Sequence, residues 1–141
     1  MQGKPWVVID TNIALDLWVF NDPRTECLRQ ALHEGAVQWI ATAPMREELK
    51  RVLAYTHIDL RLQRLGIELG EVLDRFDALV NLQADAPSAV YRCKDPDDQK
   101  FIDLAVQFQT SLISKDKCVL TMKNRLLRLN VSVTPEWRKV K

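Results

Sequence analysis

The run Trp6-Val7-Val8-Ile9 is wholly apolar, β-branched in its last three residues, and ends on Asp10. Such a run, with no polar alternation, suits a strand buried on both faces, as parallel strands are. Similar short apolar runs recur at Val37 to Ala41, Ser111 to Ser114 and Val131 to Val133. Between them lie stretches with helical periodicity. One continues from Asp10 through Leu15, Leu17 and Phe20. A second starts with Asp22-Pro23 as cap and first position and runs to about Glu34, where Gly35 ends it. Thr42 opens another, with Pro44 in its first turn, through Ala54. Leu60 to Leu65 and Glu68 to Leu82 read as two more helices, Ala84 to Lys94 as a loop, and Lys123 to Leu129 as a last helix. Asp95-Pro96-Asp97-Asp98 opens the helix that carries Phe101, Ile102, Ala105 and Phe108. Short strands alternating with helices predict a three-layer α/β/α fold around a central parallel sheet of four to five strands. At 141 residues the chain suits one domain, spanning 1–141.

Composition removes several kinds of chemistry. The three cysteines are scattered and odd in number, which argues against a disulfide framework and fits a reducing compartment. With no CxxC and only His33 and His57, neither a zinc site nor a Ser-His or Cys-His pair is expected. The apolar stretch after Lys4 is interrupted at Asp10 and Asp16, short of a membrane span, so the cytoplasm is the expected location. The net charge is +1. If four acids sink into one cleft, the remaining surface is basic. Lys115, Lys117, Lys123, Arg125, Arg128, Arg138, Lys139 and Lys141 then form either a solvated face or a rim for phosphates.

Four acids occupy positions that an open parallel sheet brings to one crevice. Sites in such sheets form at the carboxyl ends of strands. Asp10 follows the first strand in Asp10-Thr11-Asn12, and Asp116 follows another in Ser114-Lys115-Asp116. An Asx turn at Asp10 and an ordinary loop acid at Asp116 are the plainer alternatives. The helical acids are sorted by angle. With Met45 at 0°, Leu49, Val52 and Leu53 define the buried face; Glu48 falls near 300°, at its border, and Glu47 near 200°, toward water. With Asp98 at 0°, Phe101, Ile102 and Ala105 share its side, while Asp103 lies at about 140°. Asp95, Pro96 and Asp98 also resemble a capping box, which competes with a site role for Asp98.

Like charges held a few ångströms apart repel, so four converging carboxylates require a cation. All-oxygen ligands select hard ions such as Mg²⁺ or Mn²⁺. Such ions activate water and neutralise charge on a phosphodiester. An aspartyl-phosphate phosphatase is an alternative, since Asp10 follows a strand, but Asn12 stands where its second acid is wanted. A binding module that keeps the fold without activity is another.

The same segments resemble a known family. Val7-Val8-Ile9-Asp10-Thr11-Asn12 resembles the opening motif of PIN domains, and Met45-Arg46-Glu47-Glu48-Leu49 their helix with an acid before leucine. Arg92 to Phe101, containing Asp95-Pro96-Asp97-Asp98-Gln99-Lys100, is similar to the third motif of PIN proteins that are toxin components of toxin–antitoxin pairs. Leu112-Ile113-Ser114-Lys115-Asp116 resembles the fourth. The resemblance covers roughly Trp6 to Pro135. It implies a metal-dependent endoribonuclease acting on RNA, frequent homodimers and, in toxin members, an inhibitory antitoxin partner. By position, Asp10, Glu48, Asp98 and Asp116 become the catalytic and metal-binding acids. Thr11, Asn12, Asp95 and Ser114 become their support. Lys115 stands where many relatives carry glycine, and Cys118 where some carry a further acid, which leaves one ion or two open.

Overall fold

The structure, a computed structural model, describes residues 5–138, so Lys139 and Lys141 of the basic run lie outside the described residues. Five parallel strands form one sheet: β1 (Trp6–Ile9), β2 (Gln38–Thr42), β3 (Val80–Gln83), β4 (Ser111–Ile113) and β5 (Val133–Thr134). Their order is β3-β2-β1-β4-β5. The helices are α1 (Thr11–Trp18), α2 (Glu26–Glu34), α3 (Ala43–Leu53), α4 (Thr56–Leu65), α5 (Leu69–Leu79), α6 (Pro96–Phe108), α7 (Lys117–Leu120) and α8 (Lys123–Leu127). Val7, Val8 and Ile9 are consecutive and all buried. Neighbouring strand residues point to opposite faces, so both faces of β1 are covered and the sheet is the middle of three layers. Among the described residues no helix is long and apolar enough to cross a membrane.

The strand order fixes where a site can form. From β1 the chain passes to β2 on one side, and α6 later returns it to β4 on the other. Val7, Val8 and Ile9 pair with Ser111, Leu112 and Ile113 in register. The carboxyl ends of β1 and β4 therefore open side by side at a topological switch point, where a crevice is expected. A helix that follows one parallel strand and feeds the next runs back along the sheet. The first turns of α3 and α6 consequently start at the same edge as Asp10 and Asp116.

Trp39 of β2 stacks on Trp18 with centroids 5.2 Å apart and meets the edge of Phe76 at 5.5 Å. This aromatic set ties α1 and α5 to one sheet position. Its indole Nε1 is buried without a partner, an unsatisfied donor at the end of the sheet opposite the acids.

Several boundaries differ from the sequence reading. Glu68 to Leu82 is not one helix: α5 stops at Leu79, and Val80–Gln83 pairs with Trp39, Ile40, Ala41 and Thr42 as β3. Leu79, Val80 and Leu82 continue a helical phase, and an edge strand of four residues has too little alternation to override it in sequence. Pairing with β2 decides the outcome, helped by Gln38, whose Nε2 donates to Leu79 O at 3.1 Å. Asp22-Pro23 caps a single 3₁₀ turn, and α2 begins only at Glu26. The short α7 had no sequence signal.

Candidate active site

Asp10 leaves β1 with its backbone N–H donating to Ile113 O of β4 at 3.0 Å, so the ladder itself fixes its place. The residue is 4% exposed. It caps α1, accepting from Asn12 N at 3.0 Å on Oδ1 and from Ser114 Oγ at 2.7 Å on Oδ2. The Asx reading of Asp10 was thus correct as local structure, and it does not remove the acid from the crevice. Burial pushes the Asp10 carboxyl above its ordinary range; the Ser114 and Asn12 hydrogen bonds oppose that shift, and the charges of Glu48 and Asp116 add to it.

Ser114, fully buried, connects two acids. Its hydroxyl donates to Asp10 and accepts from Asp116 N at 3.2 Å. Asp116 is half-buried and caps α7, accepting from Cys118 N at 2.8 Å. Thr11 is buried, and its hydroxyl donates to Glu48 Oε2. Asn12 contributes its backbone amide, while the residue itself is exposed.

Asp98 lies in the first turn of α6 and is buried. Asp95 alone caps this helix, accepting from Asp97 N at 2.9 Å. Asp98 Oδ2 is buried with no hydrogen-bond partner among the described residues. An unpaired buried carboxylate oxygen is costly, and a capping role does not account for it. The Asp98 carboxyl is pushed up to about 7, first by burial, then by the charges of Asp116, Asp10 and Asp95, and last by a hydrogen bond with Asp116. That bond exists only when one of the two carboxyls holds a proton.

Glu48 behaves differently. It sits on α3 with 12% of its side chain exposed, while Glu47 is exposed, as the angular sorting required. Lys100 of α6 donates to Glu48 Oε1 at 2.6 Å. Both oxygens of Glu48 therefore already have donors. Among the described residues, no three His, Cys, Asp or Glu are gathered tightly enough to hold a metal ion as they stand. The four acids expected at one crevice nonetheless lie near enough to act on one another: Glu48 and Asp116 act on Asp10, and Asp116 and Asp10 on Asp98. Asp10, Asp98 and Asp116 lie in one another's fields, while Lys100 pairs with the fourth acid, Glu48. The donor set still fits a hard cation: it is all oxygen, and one buried oxygen lacks any partner.

Several residues of this region carried no usable sequence signal. Lys100 pairs across 52 positions of chain. Lys115 pairs with the buried Asp16 of α1 at 2.6 Å, so the glycine-like position holds an ammonium turned onto another acid. Gln99, 4% exposed, accepts from Cys93 N at 2.5 Å and donates to Tyr91 O at 3.1 Å and Asp103 Oδ1 at 2.8 Å. Asp103 also accepts from Ala89 N at 2.9 Å. The pair clamps the loop that leads into Asp95 and Asp98. Their i,i+4 spacing was the only available hint. Of the basic run, Lys117, Lys123, Arg125 and Arg128 are exposed and make no ion pair among the described residues.

Known proteins bear on this arrangement. Comparison with curated proteins gives no match. Among solved structures, the chain is similar to a PilT N-terminus domain protein from the hyperthermophilic archaeon Sulfolobus solfataricus P2. Identity is 18%, the TM-score is 0.42, and 91% of this chain and 84% of that one are covered. A family model described as PIN domain matches residues 6–117, from the start of β1 to just past Asp116, a span containing all four acids. The chain belongs to the PIN domain family.

Proposed function

We propose that the chain is a divalent-metal-dependent endoribonuclease that cleaves RNA phosphodiester bonds. The observation that carries this reading is the buried Asp98 oxygen without a donor, in a crevice shared with Asp10 and Asp116. Membership of a family whose members are generally nucleases supports it. Asp10, Asp98 and Asp116 would hold Mg²⁺ or Mn²⁺, with Glu48 the fourth acid of the crevice. When bound, such an ion supplies an activated water and neutralises charge on the reacting phosphate. The chain's own contribution is orientation. Ser114 holds Asp10 and Asp116 in fixed relation, and the α1 N-terminus favours the charge on Asp10. The Gln99–Asp103 clamp holds the approach to Asp98. Lys117, Lys123, Arg125 and Arg128 offer positive charge to a phosphate backbone.

The resemblance of the Asp95–Phe101 segment to toxin PIN proteins supports a narrower reading: a cytoplasmic, homodimeric toxin component restrained by an antitoxin partner. The test of the activity is cleavage of a labelled single-stranded RNA. Mn²⁺ or Mg²⁺ should support the cut and a chelator abolish it. Undiminished cleavage in chelator would remove the metal from the account. Co-purification with the neighbouring gene product tests the narrower reading.

A further inference from the structure

The charge on Glu48 is already answered from within the chain. Lys100 Nζ stands 2.6 Å from Glu48 Oε1 and 2.6 Å from the Asp97 carbonyl oxygen, and 5.0 Å from the centroid of the Phe101 ring. Three groups on two elements thus fix the ammonium, and a quarter of the Lys100 side chain is exposed. The other Glu48 oxygen takes the Thr11 hydroxyl. Among the described residues, the three remaining acids have no comparable cation. Asp10 and Asp116 are held by neutral hydroxyl and amide donors, and Asp98 Oδ2 by nothing.

We propose that Lys100 is a resident cation that keeps Glu48 out of the divalent-ion set, so that the metal is held by Asp10, Asp98 and Asp116 alone. This rests on the metal-dependent reading above and refines it. A carboxylate whose oxygens both accept strong donors is a poor ligand, because binding an ion there means displacing a charge-assisted hydrogen bond in a partly dehydrated place. Glu48 instead positions Lys100. An ammonium has three N–H groups, and two are used by Glu48 and Asp97. The third is left for water or a substrate phosphate. The site then works with one divalent ion and one fixed ammonium where a second ion would otherwise be needed. Lys100 sits two residues after Asp98 on α6, so the helix that carries an acid of the ion set also carries the ammonium.

Calorimetric titration with Mn²⁺ alone, without RNA, tests this on wild type, Glu48→Gln, Lys100→Met and the double variant. Losing a true ligand should weaken affinity by about tenfold or more. Glu48→Gln should instead bind Mn²⁺ within about threefold of wild type, a difference well below one tenfold step. Lys100→Met should bind Mn²⁺ about tenfold more tightly or take up a second ion, because Glu48 is freed, and that gain should vanish in the double variant. Melting in chelator gives an independent readout: Lys100→Met should be less stable than wild type, since it leaves a partly buried charge unpaired, and the double variant should recover. Tenfold weaker binding by Glu48→Gln, or no gain in Lys100→Met, overturns the proposal and leaves the metal reading intact. Wild type that binds no Mn²⁺ overturns both.

Discussion

The two walls of the acid crevice are built on opposite electrostatic terms. On the α3 wall, Glu48 is satisfied on both oxygens, by Lys100 and Thr11. On the α6 wall, Asp98 is buried, faces Asp116 and Asp10, and keeps a bare oxygen. Both acids border the core on amphipathic helices, and sequence periodicity treated them alike. Partners make the difference, and they come from other elements. A carboxylate that has its own ammonium is structurally complete. One that can be stabilised only by a proton or an added cation is left open to bind. Asp98 therefore trades stability for the capacity to bind, whereas Glu48 contributes to stability and is withheld from binding.

The largest effect belongs to the residue on which the walls converge. Asp10→Asn keeps the side chain's size but loses its charge and one of its two acceptor oxygens, and cleavage should fall by on the order of 10²-fold or more. A rate within a few-fold of wild type would remove Asp10 from the chemistry. On the α3 wall, Glu48→Gln frees Lys100 and should lower the rate of RNA cleavage, while Glu47→Gln, exposed, should change stability by no more than ~0.5 kcal/mol and leave the rate alone. An inactive Glu47→Gln would reverse the assignment of faces on α3.

Smaller effects sharpen the α6 wall. Gln99→Ala removes the bonds to Cys93, Tyr91 and Asp103 and should cost about 1–3 kcal/mol in chemical denaturation. An unchanged midpoint would mean that the loop before Asp95 is held by something else. The pH dependence has a definite sign. A carboxyl raised to about 7 in the folded chain keeps its proton where the unfolded chain has already lost it. Its contribution to stability is full below the ordinary carboxylate range near 4 and is lost as pH rises toward about 7, after which the loss levels off. The metal-free protein should therefore lose stability across that window, and Asp98→Asn should flatten the slope. An equal slope in the variant would show that Asp98 is not the group responsible.

Local pattern carried much of this to the surface of the sequence. The β1 run, the helix starts at Thr42 and Asp95 and the angular separation of Glu48 from Glu47 all follow from nearest-neighbour chemistry, and each has its counterpart in the fold. β3 did not, because pairing with β2 rather than its own four residues makes it a strand. Nor did the Lys100–Glu48 and Lys115–Asp16 pairs, which span 52 and 99 positions and leave no periodic trace. That Asp10 and Asp116 follow strands and that Asp98 and Glu48 face inward was readable in the chain, but that Glu48 is paired with an ammonium was not. That depends on side chains meeting across the crevice.

The central claim is that Asp98 is an acid held at a cost in stability for the sake of a cation. Thermal melting of wild type and Asp98→Asn at pH 8, each in chelator and in excess Mn²⁺, tests it most directly. Removing the charge relieves repulsion from Asp116 and Asp10, so in chelator the variant should melt higher than wild type, by about 3 °C or more. Added Mn²⁺ should raise the wild-type midpoint and move the variant far less, since ligand stabilisation follows affinity. A variant that melts lower in chelator and gains as much from Mn²⁺ as wild type would contradict the account and return Asp98 to the role of a helix-start acid.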